Sequence, residues 1–103
     1  MLDDKYSRLA YKGEPIPTDV KPKDKPAYTL LCELYRLHRM GVYDVDTAKL
    51  LKDKVLNYAE LAVNERIALI VSMYPCILEQ IKNAPVYTSA MLLFEELAKL
   101  KVS

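Results

Sequence analysis

Arginine, lysine and tyrosine side chains collect in two short stretches of the sequence, and together they could bind an anion. Tyr11 and Lys12 lie in a proline-rich beginning, whereas Arg36, Arg39 and Tyr43 surround a glycine. Guanidinium and ammonium groups hold phosphate or carboxylate, and a tyrosine ring can stack on a base or pack on a protein. These residues are the predicted ligand- or partner-binding set. The alternative is a solvated charged face that nearby aspartates balance.

The residues that usually carry catalysis or hold metals show no working arrangement. His38 is the only histidine, and no serine stands in a nucleophile motif. Cys32 and Cys76 are isolated, without a zinc-type or redox spacing, so we expect two reduced, buried thiols. Neither a glycine-rich phosphate loop nor a metal-binding spacing occurs. The sequence therefore predicts a protein that is not an enzyme and that uses no cofactor or metal.

The composition indicates one globular domain. The chain has 103 residues, of which 51% are hydrophobic and 28% charged. A net charge of +1 makes nucleic acid an unlikely partner, because dedicated binders carry a basic excess. The longest apolar stretch, 67–74, is far shorter than the roughly 20 residues that cross a bilayer. Residues 1–9 lack the apolar segment of a signal peptide, so we expect a soluble protein of the bacterial cytoplasm without a membrane partner.

Residues 1–26 are predicted to form an extended arm. Four of the six prolines fall in this segment, and each disfavours helix at its own position and at the preceding residue. Tyr11 and Ile16 are the expected anchors of this arm on the helices or on a neighbouring subunit. Lys12 between them is expected to face solvent or a ligand.

Residues 27–103 are predicted to form an all-α domain. A first helix begins near Asp24, which is a candidate N-cap, and ends at Gly41. A second helix starts at Asp44 or Asp46, and the sequence 89–100 predicts a C-terminal helix. With two glycines and no Asn-Gly or Asp-Gly turn, the chain offers little for hairpins of strands.

The second helix is the unusual element, because neither glycine nor proline interrupts residues 46–74. An unbroken helix there would be roughly 40 Å long. A domain of this size is only about 34 Å across, from its radius of gyration of ~13 Å. The second half of the helix is apolar nearly all round, which requires burial on more than one side. Either the helix breaks near Asn64 or a partner subunit covers it. We expect the partner, and hence a homo-oligomer.

Two strings of the sequence resemble a known group of proteins. "LAYKGEPIP" and "LYRLHRMGVYDVDTAKLLKDKVLNYAE" are similar to small helical proteins encoded by phages and prophages of Gram-positive bacteria. Those proteins carry an "AYKGEPLP"-like arm and a helix ending in a Tyr-Arg…Gly segment. Their next helix has an Ala-Lys…Lys…Leu…Tyr pattern. The resemblance spans roughly Leu9 to Glu60. It implies a phage origin and assigns no site residues.

Phage origin directs the functional expectation. Small phage proteins without catalytic motifs either assemble virions or bind and disable host machinery. We expect a binding protein that counters host defence, either by binding a host protein or by sequestering a nucleotide signal. The alternatives are an accessory protein of virion assembly or packaging, with phage proteins as partners, and a weak DNA-binding regulator.

Overall fold

Four α-helices follow one another in residues 1–74, the part of the chain that the computed structural model describes. They are α1 (Ser7–Tyr11), α2 (Lys25–Arg39), α3 (Val45–Leu56) and α4 (Val63–Met73). Short 3-10 helices lie at Asp4–Tyr6, Pro22–Asp24 and Tyr58–Glu60. These residues contain no strand, and the all-α prediction is confirmed. The predicted C-terminal helix lies outside the described residues.

The beginning of the chain is helical, where the sequence analysis expected an extended arm. Asp3 caps the first turn, since its Oδ1 accepts the backbone N–H of Lys5 at 2.9 Å. The chain then stays helical through Tyr11. The first proline is Pro15, so nothing in the preceding residues prevents a helix. The prediction of an extended arm is wrong for this stretch.

One face of the N-terminal stretch belongs to the hydrophobic core. Leu2, Tyr6 and Ala10 are buried. Their spacing of four residues places them on one side of a helix. The backbone N–H of Leu2 also donates to the carbonyl of Leu56 at 2.8 Å, which ties the beginning of the chain to the end of α3.

Residues 12–21 are the longest stretch of the first 26 that is not helical. Gly13 has φ +74°, a conformation that favours glycine, and it ends the N-terminal stretch. Ile16 and Val20 are buried, so this segment also packs on the helices. Ile16 therefore anchors the segment, as the sequence predicts.

The predicted hairpin of the first two long helices is present. Gly41, at φ +80°, follows the end of α2. Asp44 caps α3, because its Oδ1 accepts the N–H of Thr47 at 2.7 Å, and this hydrogen bond holds the pKa of Asp44 below its usual value. The capping role predicted for Asp24 is wrong: its side chain makes no capping bond and is buried.

The unbroken helix expected over residues 46–74 does not form. The helix ends at Leu56, and Leu61 and Ala62 have extended backbone before α4 begins. Side-chain bonds to the backbone hold this break. The amide of Asn57 donates to the carbonyl of Asp53 at 2.9 Å. Arg66 donates to the carbonyl of Leu61 at 3.1 Å, so a side chain satisfies a carbonyl that has lost its helical partner.

The break lets α4 turn back onto the rest of its own chain. Leu69, Ile70 and Met73 are buried, and α4 packs on α2. Tyr58 within the break is also buried, with the guanidinium carbon of Arg66 5.3 Å from its ring centroid. The overlong helix that motivated a covering subunit is therefore absent.

The burial of Leu2 gives a direct test of the N-terminal packing. Leu2→Ala is expected to lower the free energy of unfolding by about 2–4 kcal/mol, because it leaves a cavity in the core. Leu50→Ala is the matched control, since Leu50 is 70% exposed and its truncation should change stability by less than about 0.5 kcal/mol. Urea unfolding followed by circular dichroism measures both. Equal, small effects would mean that Leu2 is not packed in solution.

Candidate binding cleft

A cleft of about 280 Å³ opens between α2 and the non-helical segment that follows α1. Its buried side is apolar and includes Ile16, the ring of Tyr28 and the half-buried Cys32. Its exposed side carries charge, with Arg36 and Arg39 one helical turn apart on α2. The cleft thus joins an apolar floor to a charged rim, which also carries the carboxylates of Glu14 and Glu33.

Tyr28 holds the two walls of the cleft together. Its ring is 1% exposed, and its hydroxyl donates to the backbone carbonyl of Glu14 at 2.8 Å. Burial raises the pKa of Tyr28 to about 12, with a smaller contribution from the neighbouring Cys32 thiol. The neutral phenol is therefore the form that the fold stabilises, and it fixes the segment after Gly13 against α2.

Cys32 contributes an apolar surface to the cleft. Burial raises the pKa of its thiol above the usual value, and this outweighs the opposing hydrogen bond with Tyr28. The thiolate is the nucleophilic form of cysteine, so a raised pKa makes this thiol unreactive near neutral pH. Cys32 is a free cysteine, as predicted, but it is half-buried where a buried thiol was expected. Cys76 lies outside the described residues.

Arg36 is already engaged by a carboxylate of its own helix. Its Nε lies 3.0 and 3.1 Å from the two carboxylate oxygens of Glu33, and its Nη2 also donates to Oε1. This pairing raises the pKa of Arg36. The ion pair neutralises the guanidinium locally. It also occupies the Nε–Nη2 edge, which would otherwise be free to bind a ligand.

Arg39 is held differently. Its Nη1 donates to the backbone carbonyl of Tyr11 at 2.6 Å, and its Cζ lies 5.2 Å from the centroid of the Tyr11 ring. That ring in turn meets Tyr35 edge to face at 5.4 Å. Within residues 1–74 Arg39 makes no other side-chain hydrogen bond, so its Nε–Nη2 edge stays available. This edge is the one that binds carboxylate or phosphate in a bidentate manner.

The predicted site residues divide into two groups. Arg36 and Arg39 line the cleft. Tyr11 does not line it, but its backbone carbonyl accepts a hydrogen bond from Arg39. Lys12 follows Tyr11 and is exposed, as expected, but it does not line the cleft.

Tyr43 lies elsewhere, at the contact between the α2–α3 turn and α4. Its hydroxyl donates to the carbonyl of Ser72 at 3.0 Å. Its own carbonyl lies 2.9 Å from Nδ1 of His38, which must carry the proton because a carbonyl can only accept. Both side chains therefore join structural elements here.

Sequence reasoning overlooked two contributors to the site. Tyr28 is a core residue, and its hydroxyl also shapes the cleft. Glu33 was not connected with Arg36, although residues three apart on a helix face each other and commonly pair. That spacing is the signal that could have revealed the ion pair.

Comparison with known proteins identifies no relative: no family model, curated protein or solved structure matches the chain. Residues 1–74 bring together no cluster of three histidine, cysteine, aspartate or glutamate side chains able to hold a metal ion. None of the helices in that part of the chain has the length and apolar character that crossing a bilayer requires.

The buried phenol of Tyr28 predicts a dependence on alkaline pH. Its folded-state pKa lies above the ordinary value of 10.0, so its stabilising contribution is complete below pH 10 and is lost as the pH rises towards 12. Tyr28→Phe is expected to lose about 1 kcal/mol at neutral pH, since the bond to Glu14 is absent. Its unfolding free energy should then fall less steeply between pH 10 and 12.

Urea unfolding at neutral and alkaline pH measures this difference. Tyr11→Phe is the control, because the ring of Tyr11 is 51% exposed. Parallel alkaline losses in the wild type and in Tyr28→Phe would contradict the assignment.

Proposed function

We propose that the protein is a non-enzymatic, phage-encoded binding protein that counters host defence in the bacterial cytoplasm. Its cleft would hold a host protein or a nucleotide signal and so withhold it from the defence pathway. The observation that carries the proposal is the position of Arg39, a cation braced by Tyr11 at the rim of an apolar cleft. A fixed donor with an open edge loses little conformational freedom when a ligand binds.

The state of the other reactive side chains supports binding over catalysis. His38, near the end of α2, donates from Nδ1 to the backbone carbonyl of Tyr43 in the turn that follows. The Cys32 thiol lies in the cleft, but its raised pKa favours the protonated form. Neither arrangement supplies the nucleophile and neighbouring base that covalent catalysis requires.

A plaque assay on cells that carry a defined defence system tests the proposal. Expression of the protein is expected to restore plaques of a phage that the system otherwise blocks. Arg39→Gln should abolish the rescue, because it removes the cation at the cleft. Lys49→Gln, which removes an exposed cation from α3, should leave it intact.

Failure of the wild-type protein to relieve any of a panel of defence systems would contradict the counter-defence role. Capture of phage structural proteins in pull-downs would then favour virion assembly. A thermal-shift screen with cyclic and linear nucleotides separates the two forms of the proposal, since the absence of any shift removes the nucleotide form.

Self-association stays part of the proposal, on a different surface from the one first expected. Leu69, Ile70 and Met73 of α4 are buried within a single chain, so a contact between copies would use apolar side chains that stay exposed. Met40, Val42 and Val45, around the α2–α3 turn, are each more than half exposed. Light scattering should give a mass of at least two chains, and Val42→Asp should lower it. A wild-type mass of one chain at high concentration would show that the protein is a monomer.

A further inference from the structure

We infer that the cleft recognises a peptide segment of its partner in which one carboxylate stands beside an apolar side chain. The inference rests on the proposed function for the existence of a partner, and it names the chemistry that the cleft selects. It favours a protein partner over a nucleotide, because of the charge balance and the size of the cleft.

The charge balance of the cleft fits a ligand with a single negative charge. Within residues 1–74, two cations, Arg36 and Arg39, and two carboxylates, Glu14 and Glu33, line it. Arg36 is paired with Glu33, so in this part of the chain Arg39 provides the cationic edge that remains open. One carboxylate would complete a bidentate pair with that edge. A ligand with several phosphates would instead place its remaining charge next to the carboxylate of Glu14, which repels it.

The apolar side of the cleft requires a second group on the ligand. Pro15, Ile16, Tyr28 and Cys32 are apolar members of the lining that also contains Arg39. Its volume, about 280 Å³, is near the lower end of ligand pockets, which span roughly 300–1,000 Å³. That space holds one or two side chains of a peptide and is small for a dinucleotide. An acidic residue next to leucine, isoleucine or phenylalanine would supply a carboxylate to Arg39 and an apolar side chain to the apolar lining.

Two-dimensional ¹H–¹⁵N NMR titrations with defined peptides test the inference. The probes are acetylated, amidated hexapeptides with one aspartate between two leucines, and the same peptides with asparagine. We expect the acidic peptides to shift the signals of Thr29, Cys32 and Arg39 in a saturable manner. The asparagine peptides should bind at least about tenfold more weakly, since a charge-assisted pair is lost. Adenosine monophosphate and a cyclic dinucleotide are the competing probes.

Substitutions test whether Arg39 is responsible for the binding. Arg39→Gln should weaken the acidic peptide about tenfold and remove its preference over the asparagine peptide. The double variant Glu33→Gln/Arg36→Gln should change the affinity little, because it removes both members of an ion pair that is neutral as a whole. Lys49→Gln is the matched control and should bind as the wild type does. Since Arg39→Gln could also release Tyr11, Thr29→Tyr provides a second variant, which fills the cleft and leaves Arg39 in place.

The outcomes distinguish this inference from the proposed function. Nucleotides that shift the cleft signals while acidic peptides do not would overturn the inference and retain the function in its nucleotide form. If no probe shifts the NMR signals and plaque rescue is intact, the cleft is not the binding site. If no probe shifts the signals and rescue also fails, both the inference and the proposed function are overturned. Saturable binding of acidic peptides that Arg39→Gln and Thr29→Tyr both weaken would support the inference.

Discussion

The buried hydroxyl of Tyr28 is the interaction on which the arrangement of the cleft depends. Its ring occupies the core beside Leu31, and a phenol at such a depth requires a hydrogen-bond acceptor. The backbone carbonyl of Glu14 supplies that acceptor. The requirement to satisfy one polar atom therefore fixes where the segment after Gly13 runs, and the space left between that segment and α2 is the cleft.

The break after α3 meets a second constraint, the small size of the core. A chain of 103 residues cannot cover an apolar helix that extends beyond its own domain. Turning α4 back onto α2 buries Ile70 and Met73 without requiring a second chain. The carbonyls exposed by the turn still need donors, and Arg66 supplies them to Ala59 and Leu61. One long side chain thus makes an interruption possible where neither glycine nor proline is present.

The sequence predicts the elements of this fold better than their arrangement. Gly41 and Asp44 act locally, through a positive φ and a side-chain cap, so the hairpin they bound is readable from the sequence. The N-terminal helix was also readable, from the spacing of Leu2, Tyr6 and Ala10, but the prolines that follow concealed it. The excessive length of the predicted helix offered a break near Asn64 as one alternative. Helix propensity did not favour it over an unbroken helix, because side-chain bonds from Arg66 to the carbonyls of Ala59 and Leu61 stabilise the break at residues 57–62.

The same distinction applies to the two arginines of the cleft. Arg36 and Arg39 are equivalent in type and lie on one helix, so composition assigns both to an anion site. The first is paired locally, because Glu33 lies one helical turn away and accepts hydrogen bonds from its guanidinium. Only the tertiary position of Tyr11, which is 28 residues away in sequence, orients the second. The capacity to bind an anion therefore follows from which charges remain unpaired after folding, and a count of basic residues overstates it.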